Sequence, residues 1–251
     1  MKIGVIGTGN IGGTLARKLS AAGHDVRVAN SRGLEGVRAF ANEIIATAVD
    51  IREAVKGVDL IVISIPFPAV AELSKDLFDT VPQHVPVIDT GNYYPGLRDP
   101  QIPEIDAGMP HSVWVSKQLG RPVIKAFNNI LAYSLAGLGR PEGSPGRLAI
   151  AVAGDDVRSK QIVMDVVNET GFDPVDAGPL DESWRQQPGT PAYCCDYDAE
   201  TTRKGLAAAI KSEAPKKLER LIDLYRQRGS NMTHAEMVAM NRSLNPLDRS
   251  R

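Results

Sequence analysis

The chain has 251 residues, of which 43% are apolar and 24% charged, and its formal net charge is −1. That length suffices for one large domain, or a domain with an appendage, around a sizeable core. The near-neutral balance excludes a nucleic-acid partner held by bulk charge. No apolar run approaches the roughly 20 residues of a membrane span, which leaves no membrane partner to expect.

The chain opens MKIGVIG, a strand without the charged head and long apolar stretch of a signal peptide, so a cytoplasmic protein is expected. After that strand, 2–6, comes Gly7-Thr-Gly-Asn-Ile-Gly12, a G-x-G-x-x-G loop. Ile11, Leu15 and Leu19 then line one face of a helix. A glycine loop between a strand and a helix is the context in which this motif binds a dinucleotide. Gly7 permits the tight turn, Gly9 leaves room for a pyrophosphate, and Gly12 lets helix and strand pack closely. The N-terminus of the helix turns amide N–H groups and its positive dipole end toward the phosphates.

A second strand, 25–29, leads into Asn30-Ser-Arg-Gly33. A carboxylate here would accept hydrogen bonds from the ribose hydroxyls and repel a 2′-phosphate. Asn30 is uncharged, Ser31 offers a hydroxyl, and Arg32 a planar guanidinium suited to phosphate. NADP(H) is therefore expected over NAD(H). Arg38, on the next helix, reads as a solvated arginine.

Further strands are predicted over 47–49, 60–65, 85–89, 122–126, 148–153 and 174–177, with helical patterns at Val70/Leu73/Leu77 and at Val157/Ile162/Val166/Val167. Leu60-Ile-Val-Ile-Ser-Ile65 is apolar on both faces, as a strand covered on both sides must be. Strand and helix alternate, which implies an α/β fold: a doubly wound, Rossmann-type, mainly parallel sheet. Ligands bind at the carboxyl ends of such strands. Ile65-Pro66, Asp89-Thr-Gly-Asn92 and Ala126-Phe-Asn-Asn129 fall there. Asn92 and Asn128 are amides that could meet a nicotinamide or a substrate carbonyl; capping is the competing role for Asn128 and the expected one for Asn129. Lys125, His111, Tyr93, Tyr94 and Tyr133 could move a proton, but none comes with a motif. His24 lies in a turn far from the strand ends and reads as structural. There is no nucleophile elbow and no metal-ligand cluster. The adjacent Cys194 and Cys195 read as two structural thiols.

The pattern changes near residue 180, giving an expected dinucleotide-binding domain over 1–180 and a loop with a helical C-terminal extension over 181–251. Helices are predicted over 201–211 and 215–227, with a capping box at Thr233–Glu236 before a last helix. From Glu200 onward there are 11 Lys+Arg against 6 Asp+Glu, so a basic tail follows an acidic body.

Together MKIGVIGTGNIGGTLARKL, NSRG, ISIPFPAV and VIKAFNN resemble the NADP oxidoreductases that act on coenzyme F420, and more distantly the reductase domains of the STEAP metalloreductases. The resemblance spans about residues 1–180. It implies that Thr8, Gly9, Asn10 and Ile11 bind pyrophosphate and that Ser31 and Arg32 bind the 2′-phosphate. It also implies that Ile65-Pro66 and Ala126–Asn128 border the nicotinamide and a deazaflavin ring. Hydride then passes directly between the two rings, and no side-chain acid or base is required.

The chain departs from that family after about residue 180. Trp184, Arg185 or Tyr193 could cover the acceptor; the preferred alternative is that the loop packs Trp184 against the sheet or mediates a dimer. The basic tail could meet the anionic groups of F420, or dock on the acidic body. Three functions remain open: an NADPH:F420 oxidoreductase, an NADPH-dependent reductase of a small carbonyl, imine or flavin, and an NADP(H) sensor. The expected partners are a small-molecule substrate and, as the commonest default, a second copy in a homodimer.

Overall fold

β1 (Lys2–Ile6) is central, with β2 (Asp25–Ala29) parallel on one side; β3 (Thr47–Ala48) lies beyond β2. On the other side follow β4 (Leu60–Ile63), β5 (Val87–Asp89) and β6 (Ile124–Lys125), all parallel, for an order β3-β2-β1-β4-β5-β6. The structure, a computed structural model, describes residues 1–229 and 232–247. The chain winds outward from β1 to β3 and restarts at β4 on the opposite side. The strand order therefore reverses between β1 and β4, and a crevice opens at their carboxyl ends.

Alternate residues of each strand enter two cores. Ile3, Val5, Leu60 and Val62 face one, with α1 (Asn10–Ala21), α2 (Gly33–Glu43) and α7 (Val157–Glu169). Ile6, Ile61 and Ile63 face the other, with α3 (Ile51–Val55), a 3-10 turn over Phe67–Glu72 and α5 (His111–Leu119). This is why β4 reads as an unbroken apolar run. Between them α4 (Pro103–Asp106) and α6 (Ala132–Gly137) are single short helices.

Three expectations change. The strand expected over 60–65 ends at Ile63, although the Ser64 amide still donates to Ile6. The helix expected at Val70/Leu73/Leu77 is the 3-10 turn followed by a succession of tight turns; Pro66 and Pro68 bring no amide hydrogen to that segment. The last two strands, β7 (Ala149–Val152) and β8 (Asp173–Asp176), form their own parallel pair. It joins β6 through an antiparallel bridge, in which the Lys125 and Ala153 amides donate to each other's carbonyls at 2.8 and 3.0 Å.

The C-terminal part lies on this frame. A 3-10 turn over Leu180–Gln186 leads to α8 (Ala199–Ala208), which packs on β7 and β8 through Leu206, Val175 and Ala151. α9 (Ala214–Arg228) and α10 (His234–Leu244) close a third core with Tyr94, Tyr193 and Cys194. Thr233 and Glu236 form the expected capping box. Two of the tail's basic residues dock on the body, Arg226 donating to the Gly96 carbonyl at 2.7 Å and Arg242 to those of Cys195 and Asp196, while Lys204 and Lys217 pair with Glu200 and Glu213 within the tail.

β1 tolerates close neighbours only because of its glycine. A Cβ on Gly4 would lie 1.7 Å from the Ala54 carbonyl oxygen, a backbone atom that cannot rotate away. Gly4→Ala should therefore destabilise by about 3 kcal/mol or more. Gly137→Ala, in a helix with open space around it, should be neutral or stabilising by up to about 1 kcal/mol. Urea unfolding of the two variants checks the contrast.

Candidate functional site

The glycine loop closes β1 onto α1. Gly7 has φ +100°, and a Cβ there would meet the Ser64 carbonyl oxygen at 2.1 Å. A Cβ on Gly12 would meet the Gly7 carbonyl oxygen, also at 2.1 Å. Over Gly9 there is open space. Gly9 caps α1 without a side-chain hydrogen bond, and the first amide to donate along the helix is that of Gly13, to Gly9 at 2.7 Å. The amides of Asn10, Ile11 and Gly12 precede that bond, and no acid sits in the first turn. Tight glycines at both ends and an open one between them suit a pyrophosphate held on backbone N–H groups.

Asn30 ties the second loop to the first. Its Nδ2 donates to Thr8 Oγ1 at 3.1 Å, and its Oδ1 accepts from the Arg32 amide at 2.9 Å. Gly36 makes room for the Arg32 side chain, because a Cβ there would sit 2.3 Å from Arg32 Cβ. Ser31 and Arg32 are exposed, and among the described residues the Arg32 guanidinium has no acidic partner. Arg38 is paired with Glu35 at 2.6 Å on the exposed face of α2, as a solvated arginine would be.

At the other strand ends the polar groups are already engaged. Lys125 is fully buried and pairs with Asp89 at 2.9 Å; it also donates to the Gly91 carbonyl. Asp89 accepts in addition from Ser112 Oγ at 2.6 Å and the Gly91 amide at 2.8 Å. Burial pushes the Lys125 ammonium below the usual lysine range, with Asp89 opposing. The structure holds Lys125 as a salt-bridged strand lysine rather than a free proton donor. Tyr93 donates to Asp106 at 3.0 Å and accepts from the Ile102 amide; burial pushes its phenol up to about 12. Tyr94 hydrogen-bonds Tyr193 in the third core, and Tyr133 stacks on His234 at the surface. His111 is buried and held neutral, first by burial and then by the nearby Lys125 charge; its Nδ1 accepts from the Tyr93 amide at 3.3 Å.

Asn92 and Asn128 form one network, which the sequence did not reveal. Asn128 Nδ2 donates to Asn92 Oδ1 and to the Gln186 carbonyl; its Oδ1 accepts from Gln186 Nε2 at 2.8 Å. Asn92 Nδ2 donates back to the Asn128 carbonyl at 2.8 Å. Asn129 Nδ2 reaches the Ala192 carbonyl at 3.3 Å. Neither Asn128 nor Asn129 caps a helix, because the residue before α6 is Leu131; both bind the β6 loop to residues 186–192. Ala126 is buried beneath them, while Ile65 is half-buried and Pro66 exposed at the end of β4.

A cavity of about 620 Å³ has Tyr93 among its walls. Its walls come from residues 93–111, the loop at Trp184–Pro188, and α9. Trp184 is buried, as the packing alternative expects, and also lines this space. Elsewhere Ser134, Asp196 and His234 meet, but His234 Nε2 serves both partners at 2.8 Å. One nitrogen cannot relay a proton between serine and carboxylate, so the trio clamps α10 onto α6. The two cysteines are buried thiols without a disulfide, and burial pushes both up, Cys195 to about 12. Among the described residues no cluster could hold a metal ion, and no helix is long and apolar enough to cross a membrane.

Residues 2–93 match the family model described as NADP oxidoreductase, coenzyme F420-dependent. The Escherichia coli K12 protein YjhV is 49% identical over 125 residues, which are 50% of this chain and 84% of YjhV. Among solved structures, a candidate F420-dependent NADP reductase from Arthrobacter sp. FB24 superposes with a TM-score of 0.63 at 18% identity, over 91% of this chain and 95% of that one. The 3-hydroxyisobutyrate dehydrogenase of Mycobacterium tuberculosis superposes with a TM-score of 0.58 at 14% identity, over 97% and 99%. At those identities the two structures share the fold.

The buried ion pair supplies a test of the structural role of Lys125. Lys125→Met leaves the Asp89 carboxylate buried without its counter-charge, which should cost about 3–5 kcal/mol. Urea unfolding should show that loss, and the fraction that remains folded should still bind NADPH.

Proposed function

We propose that this chain, which belongs to the coenzyme F420-dependent NADP oxidoreductase family, uses NADPH to reduce a small carbonyl, imine or flavin acceptor. The observation that carries the cofactor choice is the Asn30–Arg32 turn. Asn30 locks both loops with its neutral amide, and Arg32 stands exposed beside Ser31 with no carboxylate paired to it among the described residues. A guanidinium and a hydroxyl at this point favour a 2′-phosphate, and the nearby Glu35 is paired with Arg38.

On this reading the amides of Thr8, Gly9, Asn10, Ile11 and Gly12 hold the pyrophosphate, with Gly7 making the turn. Ser31 and Arg32 hold the 2′-phosphate. Ile65, Pro66 and Asn92 form the edge of the reaction site, with Ala126 and Asn128 behind. When bound, NADPH supplies the hydride. The chain's part is orientation: Lys125 fixes the β5 and β6 ends through Asp89 and Gly91, and Asn128 fixes the loop above them to Gln186.

The acceptor half is where the reading is finer than the family. The family match ends at Tyr93, which is among the cavity's walls. The cavity's remaining walls therefore belong to parts of the chain outside that match, which favours an acceptor of this chain's own. A deazaflavin acceptor is the second reading, supported by the family match over the cofactor half and by the engagement of Lys125 and Tyr93, which leaves little need for an acid.

Arg32→Ala should weaken NADPH binding by about 1.5–3 kcal/mol, the scale of a hydrogen bond to a charged group, and leave NADH nearly unchanged. Calorimetric titration with both nucleotides measures this, and equal weakening of the two would overturn the assignment. Oxidation of NADPH with coenzyme F420, compared with a panel of small ketones, imines and FMN, decides between the two acceptors.

A further inference from the structure

We propose that the cavity between residues 93–111, the Trp184–Pro188 loop and α9 binds a small organic carboxylate with a flat apolar body, and that this is the acceptor of the reduction. Only the second clause rests on the reading of the chain as an NADPH-dependent reductase.

The volume, about 620 Å³, lies within the range of small-molecule sites. Part of its surface is apolar: Ile105, Met109, Leu218 and Ile222 line it with Trp184, whose ring also carries the Arg185 guanidinium at 4.6 Å. Two of its polar groups are unengaged donors. Lys211 lies 5.9 Å from the centre of the Trp184 ring, and no carboxylate among the described residues pairs with it. The Nδ1 of neutral His111 accepts from the Tyr93 amide, so its proton sits on Nε2, for which no protein acceptor is found among the described residues.

Most of the acidic groups around the cavity are already used. Asp106 accepts from Tyr93, and Asp223 faces Arg226 at 3.6 Å. Glu219 stands on the exposed side of α9. The Lys211 ammonium and the neutral imidazole N–H of His111 beside an apolar wall match a carboxylate better than an amine. Tyr93 and His111, on the segment that follows β5, both line the cavity, and the acceptor clause places the nicotinamide within reach of that segment.

Calorimetric titration of the full chain with 1-naphthoate and 1-naphthamide, which differ in the carboxylate alone, tests the binding. Naphthoate should bind at least about tenfold more tightly than the amide. Lys211→Met should remove that preference, whereas the surface variant Lys117→Met should keep it. No naphthoate binding, equal binding of the two probes, or a preference that survives Lys211→Met would overturn the proposal. NADPH affinity, measured on the same samples, separates this result from the cofactor assignment. Naphthoate binding without NADPH binding would sink the reductase reading and leave the carboxylate site standing. The acceptor clause predicts that naphthoate inhibits NADPH oxidation competitively with the acceptor; failure to compete would overturn that clause.

Discussion

Three glycines decide how closely backbone can approach backbone around β1, and the rest of the molecule is arranged on that approach. Gly4 admits the Ala54 carbonyl, Gly7 admits that of Ser64, and Gly12 admits that of Gly7. The first contact brings α3 against the central strand. The other two draw the end of β4 and the start of α1 to the same loop. The consequence is functional as well as structural. A helix started this close to the strand end places its unbonded amides over the crevice where the strand order reverses, and Gly9 keeps that space open.

A second layer of order sits at the ends of β5 and β6. The Lys125–Asp89 pair is costly to bury, and its retention makes physical sense because each partner does more than neutralise the other. Asp89 also accepts from Ser112 and Gly91, and Lys125 also holds Gly91. The Lys125 backbone, in turn, bridges to Ala153 and so attaches β7. One residue thus joins the parallel sheet to the β7–β8 pair that carries α8. The Asn92–Asn128–Gln186 network then ties the C-terminal part to the same strand ends. Lys125, Tyr93 and Tyr94 are spent on hydrogen bonds within the protein, which fits chemistry whose hard step belongs to a cofactor.

Much of this was legible in the sequence, for identifiable reasons. The two-sided apolar run of β4, the glycine spacing and the neutral Asn30 before Arg32 are local patterns with one sensible physical reading each. What could not be read depends on distant segments meeting. The orientation of Lys125 is hidden because β6 is only two residues long, too short for alternation to mark a face. The direction of β7 follows from how the chain turns after the short α6, which no periodicity records. The Val70/Leu73/Leu77 spacing looked helical, but nearby prolines carried the stronger signal. From position alone Asn128 could cap a helix or meet a ligand; only the structure shows Gln186 as its partner, 58 residues away. The cavity likewise joins residues 93–111 to α9.

The most direct test of the central claim uses the nucleotide fragments alone. Titration calorimetry with 2′,5′-ADP and with 5′-AMP isolates the 2′-phosphate from the nicotinamide and from any acceptor. The account predicts that 2′,5′-ADP binds at least about tenfold more tightly, with the difference shrinking as salt is raised, as expected of an exposed guanidinium. Equal affinity for the two fragments would contradict it: the loop would then hold a dinucleotide without choosing between NADP and NAD, and Arg32 would have no part in the selection.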